Sequence, residues 1–282
     1  MLLIADSGST KTQWVQLEGR NRKNDIWSAG LNPYFHNSES MEAVLQAELI
    51  PFLVADFVKE IHFYGAGCST ENNNAMVSDV LKRFFHKAEV FIYHDILGAG
   101  RALFGPEEGI ACILGTGCNA CYYDGKESHP IVSSLGYLFG DEGAGSNLGK
   151  TFMTKYLKNQ VPEELRRCFD EKYNFTLEDI LNAVYNRPFP NRFLASLSEF
   201  LAPNQAHPYV HDLVLYSFNA FFEAQVKQFP GFERQMVSFV GSIAWYYKDI
   251  LMESIGLNGI RAGKILQCPM DGLIGYHLHQ ST

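Results

Sequence analysis

Short apolar runs alternate with polar, glycine-containing turns at the start of the chain. An apolar run at Leu2–Ala5 is followed by an alternating run at Gln13–Leu17, so the polar stretch between them predicts a hairpin loop that joins two strands. A charged turn predicted at Glu18–Asp25 precedes a third short strand near Ile26–Ala29. The chain is therefore expected to open with three strands.

After this opening, predicted helices and strands alternate. Helical periodicity over about residues 38–53, 71–87 and 96–104 is separated by strand-like segments at Glu60–Tyr64 and Glu89–Tyr93. Strands that alternate with helices are typical of an α/β fold with parallel pairing.

The opening pattern restarts at Gly109. An apolar strand at Ile110–Leu114, a glycine turn and a second strand at Ala120–Tyr123 repeat the order seen at the N-terminus. Residues 4–10 can be set over residues 113–119 as a weak internal repeat. The pattern indicates two lobes derived from one unit.

Most of the remaining chain has helical periodicity to about residue 229, followed by a strand at Met236–Val240, a last strand near Lys264–Gln267 and a final helix. Because 282 residues exceed the usual size of a single core, we expect two domains. Residues 1–108, completed by the C-terminal helix 271–282, form the predicted first lobe. Residues 109–270 form the predicted second lobe, which contains a helical insertion.

Composition and charge narrow the classes of function. Hydrophobic residues make up 46% of the chain and charged residues 19%, which is typical of a globular protein. The formal net charge is −8 and the chain has no dense basic run, so nucleic acid and anionic membranes are disfavoured as partners. The first apolar run is too short for a signal peptide or a membrane span. Six cysteines are sparse for this length, and we expect a cytoplasmic protein.

The loop from Asp6 to Thr12 has the composition of a phosphate-binding loop. It places a carboxylate at a strand end, followed by a glycine and several hydroxyl groups. A carboxylate would repel a phosphate unless a cation lay between them, so Asp6 is expected to face Mg²⁺, through water. Lys11 could then reach a phosphate oxygen. The alternative is an ordinary polar hairpin loop.

A second turn and a third turn strengthen this interpretation. Gly115-Thr116-Gly117 supplies a hydroxyl group between two glycines that allow close approach of the backbone to a phosphate. Gly241-Ser242 follows an apolar strand and could pack against a nucleoside, although taken alone it is more typical of the start of a helix.

The three turns, in this order and at this spacing, resemble those of the sugar kinase, Hsp70 and actin superfamily of ATPases. Motifs at residues 65–68, 95–99 and 136–145 resemble those of the BadF/BadG/BcrA/BcrD ATPase family and, within it, the N-acetylglucosamine kinases. The resemblance covers nearly the whole chain. It implies an α/β fold of two ribonuclease-H-like, actin-like ATPase lobes with a central cleft, which binds ATP and Mg²⁺. The implied reaction is phosphorylation of the 6-hydroxyl of an amino sugar, with N-acetylglucosamine as the first expectation.

The resemblance also implies roles for individual residues, with Asp95 as the catalytic base and Asp6 on the metal side. Those implied to contact the nucleotide are Ser9, Thr10, Lys11, Gly115, Thr116, Gly241 and Ser242. Those implied to contact the sugar are Asn32, Gly117, Asn119, Asp141 and Glu142. Amides and carboxylates suit this task, because sugar hydroxyls both donate and accept hydrogen bonds.

Two of these assignments have simpler alternatives. Asp95 follows an apolar strand and precedes a helix, so its carboxylate is expected at the carboxyl edge of a sheet, but it could instead cap the helix. The adjacent His94 is expected to point away from the cleft because strand side chains alternate. The acidic residues between Gly140 and Gly145 could lie in a flexible connector.

Cys118 stands where the family usually has serine, and Cys121 follows three positions later. Such a pair could hold a metal or a redox centre, but a spacing of three in a strand puts the two side chains on opposite faces, which favours packing. The rival functions are a kinase for glucosamine or N-acetylmuramic acid, an ATPase that activates a dehydratase, and a non-enzymatic nucleotide-binding protein. The aromatic groups on predicted helices fit helix cores or a subunit interface, so they would permit a homodimer.

Overall fold

A computed structural model describes residues 1–280 as two compact units. The first unit comprises residues 1–108, residues 123–128 and the C-terminal segment from Cys268. The second unit comprises residues 109–122 and 129–267. No helix within residues 1–280 combines the length and the apolar character needed to cross a bilayer.

The first sheet has five strands in the order β3-β2-β1-β4-β5. The strands are β1 (Leu2–Ser7), β2 (Lys11–Glu18), β3 (Asn21–Ala29), β4 (Glu60–Gly65) and β5 (Glu89–His94). Strands β1, β2 and β3 pair antiparallel, whereas β1, β4 and β5 pair parallel. The predicted strand, loop, strand opening and the parallel pairing after it are confirmed.

The charged turn predicted at Glu18–Asp25 is wrong for most of its length. Strand β3 already begins at Asn21, and its first residues are mostly exposed. Because β3 is an edge strand, charged side chains such as Arg22 can point into solvent without disturbing the ladder.

Three helices complete the N-terminal part: α1 (Ser38–Glu48), α2 (Glu71–Phe84) and α3 (Asp95–Phe104), with 3-10 turns at Ile50–Phe52 and Ala55–Phe57. Asn37 begins α1 with a capping box, and the Thr70 side chain accepts a hydrogen bond from a backbone N–H at the start of α2. Helix α1 ends earlier than predicted because Pro51 lies in the following 3-10 turn and lacks a backbone N–H.

The second sheet repeats the strand order of the first. Its strands are β6 (Gly109–Leu114), β7 (Cys118–Tyr123), β8 (Ser128–His129), β9 (Met236–Val240) and β10 (Arg261–Leu266), in the order β10-β9-β6-β7-β8. Strands β6, β9 and β10 pair parallel. Read in the same direction, the first sheet is β5-β4-β1-β2-β3, so the two orders correspond strand by strand and agree with the predicted internal repeat.

The remaining helices are mostly in the long segment between β8 and β9, where helical periodicity predicts them. They are α4 (Gly136–Phe139), α5 (Gly145–Leu157), α6 (Glu163–Tyr173), α7 (Leu177–Tyr185), α8 (Pro190–Ser196), α9 (Ser198–Leu201), α10 (Pro208–Ala224), α11 (Ser242–Tyr246), α12 (Lys248–Leu257) and α13 (Met270–Gln280). Short 3-10 turns lie at Ala202–Asn204, Val226–Gln228 and Phe232–Arg234.

Both faces of the first sheet are covered. Leu3 and Ala5 belong to a buried cluster with Trp14 and Phe63 on one face. Ile4 lies between Leu3 and Ala5 in β1 and belongs to a second cluster on the other face, which α3 and α13 cover. This alternation along β1 follows from the two-residue period of a strand. The second unit has its own core, built from its sheet and from helices that include α5, α6 and α10.

A buried polar cluster lies between the first sheet and helices α3 and α13. The Tyr64 hydroxyl accepts a hydrogen bond from Arg101 and bonds to Nε2 of His277, each at 2.9 Å. Burial lowers the pKa of His277, as do the nearby His62 and Arg101, and together they bring it to about 3. His277 is therefore neutral in the folded protein at ordinary pH.

We expect His277 to make the protein sensitive to acid. As the pH falls below 6.5, the ordinary pKa of this residue, the unfolded chain takes up a proton there and the folded chain does not. The free energy of unfolding therefore decreases as the pH decreases. Between pH 7 and pH 5 the loss should be about 2 kcal/mol. A His277→Gln variant keeps a partner for Tyr64 and should lose less stability over this range when urea unfolding is followed by circular dichroism. The exposed His86→Gln is the control, and equal pH slopes for wild type and His277→Gln would contradict the expectation.

Candidate functional site

Asp6 and Asp95 lie at the same edge of the first sheet. Asp6 pairs in register with Tyr64 of β4, and Tyr64 pairs with Tyr93 of β5. Because β1 and β5 both run parallel to β4, their carboxyl ends meet at one edge, and Asp95 directly follows β5. Ligands of open α/β sheets bind at this edge.

The carboxyl group of Asp6 is held in an unfavourable environment for a negative charge. Burial and the charge of Asp95 raise its pKa, Lys11 lowers it, and the net result is a pKa of about 7. A cation near Asp6 would relieve both effects. Mg²⁺ binds to proteins through one or two carboxylates, with water and phosphate oxygens completing its shell. The donor set therefore fits Mg²⁺, although within residues 1–280 no three His, Cys, Asp or Glu side chains form a metal-binding group.

Hydrogen bonds close the loop that follows Asp6. Gly8 N–H donates to the Lys11 carbonyl at 3.0 Å, and the Ser7 and Thr12 hydroxyls lie 2.8 Å apart. Leu31 N–H donates to the Ser7 hydroxyl at 3.1 Å and ties the loop to the end of β3. The loop is thus a tightly bonded turn, and the Gly8 amide serves the turn rather than a ligand.

The predicted phosphate contacts lie at the tip of this turn. Ser9 is half-buried, whereas Thr10 and Lys11 are exposed. The Lys11 ammonium group lies 4.4 Å from the centre of the Trp27 ring, within the range of a cation–π interaction. The sequence did not indicate Trp27, because its position diagonal to Lys11 depends on the register of β2 and β3, in which Trp27 pairs with Gln13.

Asn32 is fixed beside the same loop. Its amide nitrogen donates to the Ser9 hydroxyl at 3.2 Å, and its Oδ1 accepts from Tyr34 N–H at 2.9 Å. Gly67 lies against it with a φ of +82°, and a Cβ at Gly67 would come within 2.3 Å of Asn32 Oδ1. Only glycine fits there, for both conformation and space. Asn32 is buried, while the neighbouring Tyr34 ring is exposed.

Asp95 is the first residue of α3, and His94 is the N-cap. The alternative that Asp95 caps the helix is therefore wrong. The imidazole Nδ1 of His94 lies 3.0 Å from Asp95 Oδ1. Strand alternation did not predict this contact, because the alternation ends where the helix begins.

In the second unit, the turn at residues 115–117 is bonded to the start of α5. Gly115 N–H donates to the Gly117 carbonyl at 3.0 Å, which closes the turn. Gly145 N–H donates to the Gly115 carbonyl at 2.9 Å, and Ser146 N–H donates to the Thr116 carbonyl at 3.0 Å. The turn is therefore held in place by the start of α5, which directly follows the loop that contains Asp141 and Glu142.

Asp141 is the carboxylate that joins these two segments. Its Oδ1 accepts from Cys118 N–H at 2.9 Å, and its Oδ2 accepts from the Ser146 hydroxyl at 3.4 Å. The residue is buried and has a φ of 63°. Burial raises its pKa, although these two hydrogen bonds act in the opposite direction. Asp141 has a structural task here, which the sequence did not indicate, while the adjacent Glu142 is half-buried.

Asn119 and the third turn lie near the same sheet edge. Asn119 is buried, and its Oδ1 accepts from Ala120 N–H at 2.9 Å. Gly241 has a φ of +128°, and a Cβ there would come within 2.3 Å of the Leu114 carbonyl oxygen. Glycine is therefore required where this turn approaches the end of β6. The exposed Ser242 then begins α11, so the turn does start a helix, as the alternative interpretation held.

Each unit thus gathers one group of the residues singled out in the sequence. In the first unit these are Asp6, Ser9, Thr10, Lys11, Asn32 and Asp95, and in the second they are Gly115, Thr116, Gly117, Asn119, Asp141, Glu142, Gly241 and Ser242. Cys118 and Cys121 are both buried.

No protein-family model matches the sequence. A solved structure from Porphyromonas gingivalis, provisionally named an N-acetylglucosamine kinase, is 39% identical, with full coverage of both chains (100% each) and a TM-score of 0.95. The chain belongs to the family of N-acetylglucosamine kinase-like sugar kinases. This membership agrees with the resemblance found in the sequence, and the fold is that of the actin-like ATPase sugar kinases.

Other sugar kinases share this fold at lower identity. A protein from Chromobacterium violaceum, also provisionally named an N-acetylglucosamine kinase, has a TM-score of 0.69 at 15% identity and covers 98% of each chain. A ROK family glucokinase from Streptomyces griseus, solved with glucose and AMPPNP, has a TM-score of 0.61 at 11% identity and covers 97% of each chain. A curated N-acetylmuramic acid/N-acetylglucosamine kinase from Clostridium acetobutylicum is 24% identical over 148 residues, which are 47% of this chain and 45% of that protein. The match thus spans less than half the length of this curated relative.

The hydrogen bonds that Asp141 accepts from Cys118 and Ser146 should make a measurable contribution to stability. Asp141→Ala removes the acceptor for Cys118 N–H and should lower the free energy of unfolding by about 2 kcal/mol, since a buried donor loses its partner. Asp141→Asn keeps an acceptor and tolerates a positive φ, so it should stay close to wild type. Urea unfolding of both variants checks this, with Asp212→Ala on the exposed face of α10 as the control. Equal stability of Asp141→Ala and Asp212→Ala would show that the hydrogen bonds of Asp141 do not stabilise the fold.

Proposed function

We propose that the protein is an ATP-dependent kinase that phosphorylates the 6-hydroxyl of an amino sugar, with N-acetylglucosamine as the preferred substrate. The observation that carries the proposal is the pair of carboxylates, Asp6 and Asp95, at one sheet edge of a chain that is 39% identical over its whole length to a provisionally named N-acetylglucosamine kinase. The curated relative from Clostridium acetobutylicum supports the same class of substrate.

In this proposal Asp95 is the catalytic base. Its side chain is 20% exposed, so a substrate hydroxyl can reach it, while its fixed position at the start of α3 limits its motion. The carboxylate would orient the 6-hydroxyl and accept its proton as the new bond to phosphorus forms. Orientation of the hydroxyl supplies much of the rate, because the reaction then starts from a prepared geometry.

The nucleotide would be held by the glycine turns. The Thr116 hydroxyl and the backbone of Gly115 would contact phosphate, and the turn at Gly241 and Ser242 would contact the nucleoside. Ser9, Thr10 and Lys11 would contact phosphate from the first unit, where Trp27 restricts the motion of the Lys11 side chain. Mg²⁺, when bound near Asp6, would neutralise negative charge on the phosphate oxygens.

The sugar would be recognised by buried amides and carboxylates. Asn32 and Asn119 are fixed by local hydrogen bonds, so little conformational entropy is lost when a sugar binds them. Gly117 lies next to the Asp141 carboxylate, and a Cβ at Gly117 would approach Asp141 Oδ1 to 2.9 Å. Asn32 in the first unit, and Asn119, Asp141 and Glu142 in the second, are groups that can pair with hydroxyl and N-acetyl groups.

Asp95→Asn should lower kcat by about 10²-fold or more with little change in the KM for ATP, because an amide cannot accept the proton. The rate of sugar-dependent ADP release, measured in a coupled assay, checks this. Asp79→Asn, which changes an exposed carboxylate on α2 of the same unit, is the matched control. Turnover of Asp95→Asn near that of Asp79→Asn would remove Asp95 from the role of base.

The substrate can be identified with a panel of sugars in the same assay. We expect the highest kcat/KM for N-acetylglucosamine, lower values for glucosamine and glucose, and a 6-phosphate product by ³¹P NMR. The curated relative favours N-acetylmuramic acid as a second substrate, so a kcat/KM within about tenfold of that for N-acetylglucosamine would make the enzyme a dual-specificity kinase.

Other outcomes of the panel would contradict the proposal. ATP binding without turnover on any sugar would favour a nucleotide-binding protein that is not an enzyme. ADP release that no sugar increases, in a protein that contains iron after anaerobic purification, would favour an ATPase that activates a dehydratase.

A further inference from the structure

The imidazole of His94 contacts two groups through a single nitrogen. Its Nδ1 lies 3.0 Å from Asp95 Oδ1 and 3.4 Å from the backbone nitrogen of Ile96. An unprotonated Nδ1 can accept from Ile96 N–H but would repel a carboxylate oxygen, since both atoms would present lone pairs. A protonated Nδ1 donates to the carboxylate instead. The shorter of the two distances is the one to Asp95.

A second histidine in the chain shows the same type of cap without this conflict. His207 is the N-cap of α10, and its Nδ1 accepts from Tyr209 N–H at 3.1 Å. The carboxylate partner of His207 is Glu164, which lies 3.0 Å from the other ring nitrogen, Nε2. Each nitrogen of His207 therefore has one task. At His94 the Asp95 carboxylate lies next to Nδ1. The distance from Nδ1 to the backbone nitrogen that it caps is 3.4 Å at His94, compared with 3.1 Å at His207.

The environment of Asp95 indicates the same hydrogen bond. Asp95 Oδ1 is buried, and apart from the His94 ring it has no hydrogen-bond partner within residues 1–280. A buried carboxylate oxygen without a donor costs about 1–3 kcal/mol or more, so a donor is expected there. Burial alone lowers the pKa of His94, but the charge of Asp95 and its hydrogen bond outweigh this effect and raise it.

We propose that His94 is a positioning residue: its Nδ1–H donates to Asp95 Oδ1 and orients the carboxylate so that the other oxygen meets the sugar hydroxyl. This inference rests on the proposed function of Asp95 as the base. The neutral imidazole with its proton on Nδ1 already supplies the donor, so the role does not require a charged ring. The hydrogen bond restricts rotation of the Asp95 carboxylate before the reaction begins. Less rotational entropy is then lost when the transition state forms.

Isosteric variants separate positioning from capping. Asn places an amide nitrogen where Nδ1 stands and can donate to Asp95, whereas Asp has the same shape and caps a helix equally well but cannot donate. Expected results are a kcat within about threefold of wild type for His94→Asn and a kcat lowered about tenfold or more for His94→Asp, with the KM for ATP little changed in both. His94→Ala, which removes the donor without adding a charge, should lower kcat about fivefold.

Controls show whether capping explains the result. If His94 serves only as a cap, His94→Asp should be at least as active and as stable as His94→Asn, and this result would overturn the inference. His207→Ala removes a cap of the same geometry from α10 and should leave kcat unchanged. Urea unfolding of every variant verifies that the folded protein is being compared.

A measurement on the folded protein tests the hydrogen bond without turnover. With ¹⁵N-labelled histidine, the His94 ring, assigned from the signals absent in His94→Asn, should show a protonated Nδ1 at pH 7.5. In Asp95→Ala the proton should move to Nε2, because Nδ1 is then free to accept from Ile96 N–H. An unprotonated Nδ1 in wild type would contradict the inference.

The two proposals fail in different ways. A wild-type protein without sugar-dependent ADP release would overturn the proposed function and the positioning role with it. An active wild type whose His94→Asp and His94→Ala variants both stay within about threefold of its kcat would overturn only the role of His94.

Discussion

Parallel pairing of β1 with β4, and of β4 with β5, brings Asp6 and Asp95 to one sheet edge. The sheet that makes this possible is stabilised on both faces, because successive residues of β1 enter two different buried clusters. A shift of one residue in the register of β1 would exchange these faces. It would also remove Asp6 from the face on which α3 begins. The register that packs β1 is therefore also the register that places the Asp6 carboxylate.

The polar residues near the two sheet edges serve the backbone as well as a ligand. Asp141 joins the turn at Gly117 to the start of α5, and Asn32 holds the loop at Ser9. Buried polar groups need partners, so each of these side chains is bonded within its own unit. The loops are thereby ordered before any ligand arrives, and a sugar or nucleotide would meet groups that are already oriented.

The matching strand orders of the two sheets explain why similar turns occur twice. The turn at residues 8–10 follows β1, and the turn that contains Thr116 follows the corresponding strand β6. Beyond these turns the two units differ, because the second carries most of the helices and its turn is bonded to α5. The high similarity to the Porphyromonas gingivalis structure over the whole length indicates that both units belong to the family fold.

Local patterns in the sequence determined the strands, most helix starts, the glycine turns and the family. These features depend on the spacing of apolar residues and on residues that cap helices or permit turns, and such signals are readable within a few neighbouring positions. The tertiary structure alone decided that β3 begins at Asn21, that Asp141 bonds to Cys118 and that His94 meets Asp95. These contacts arise from strand pairing, loop packing and the point where a helix begins, which no local pattern specifies.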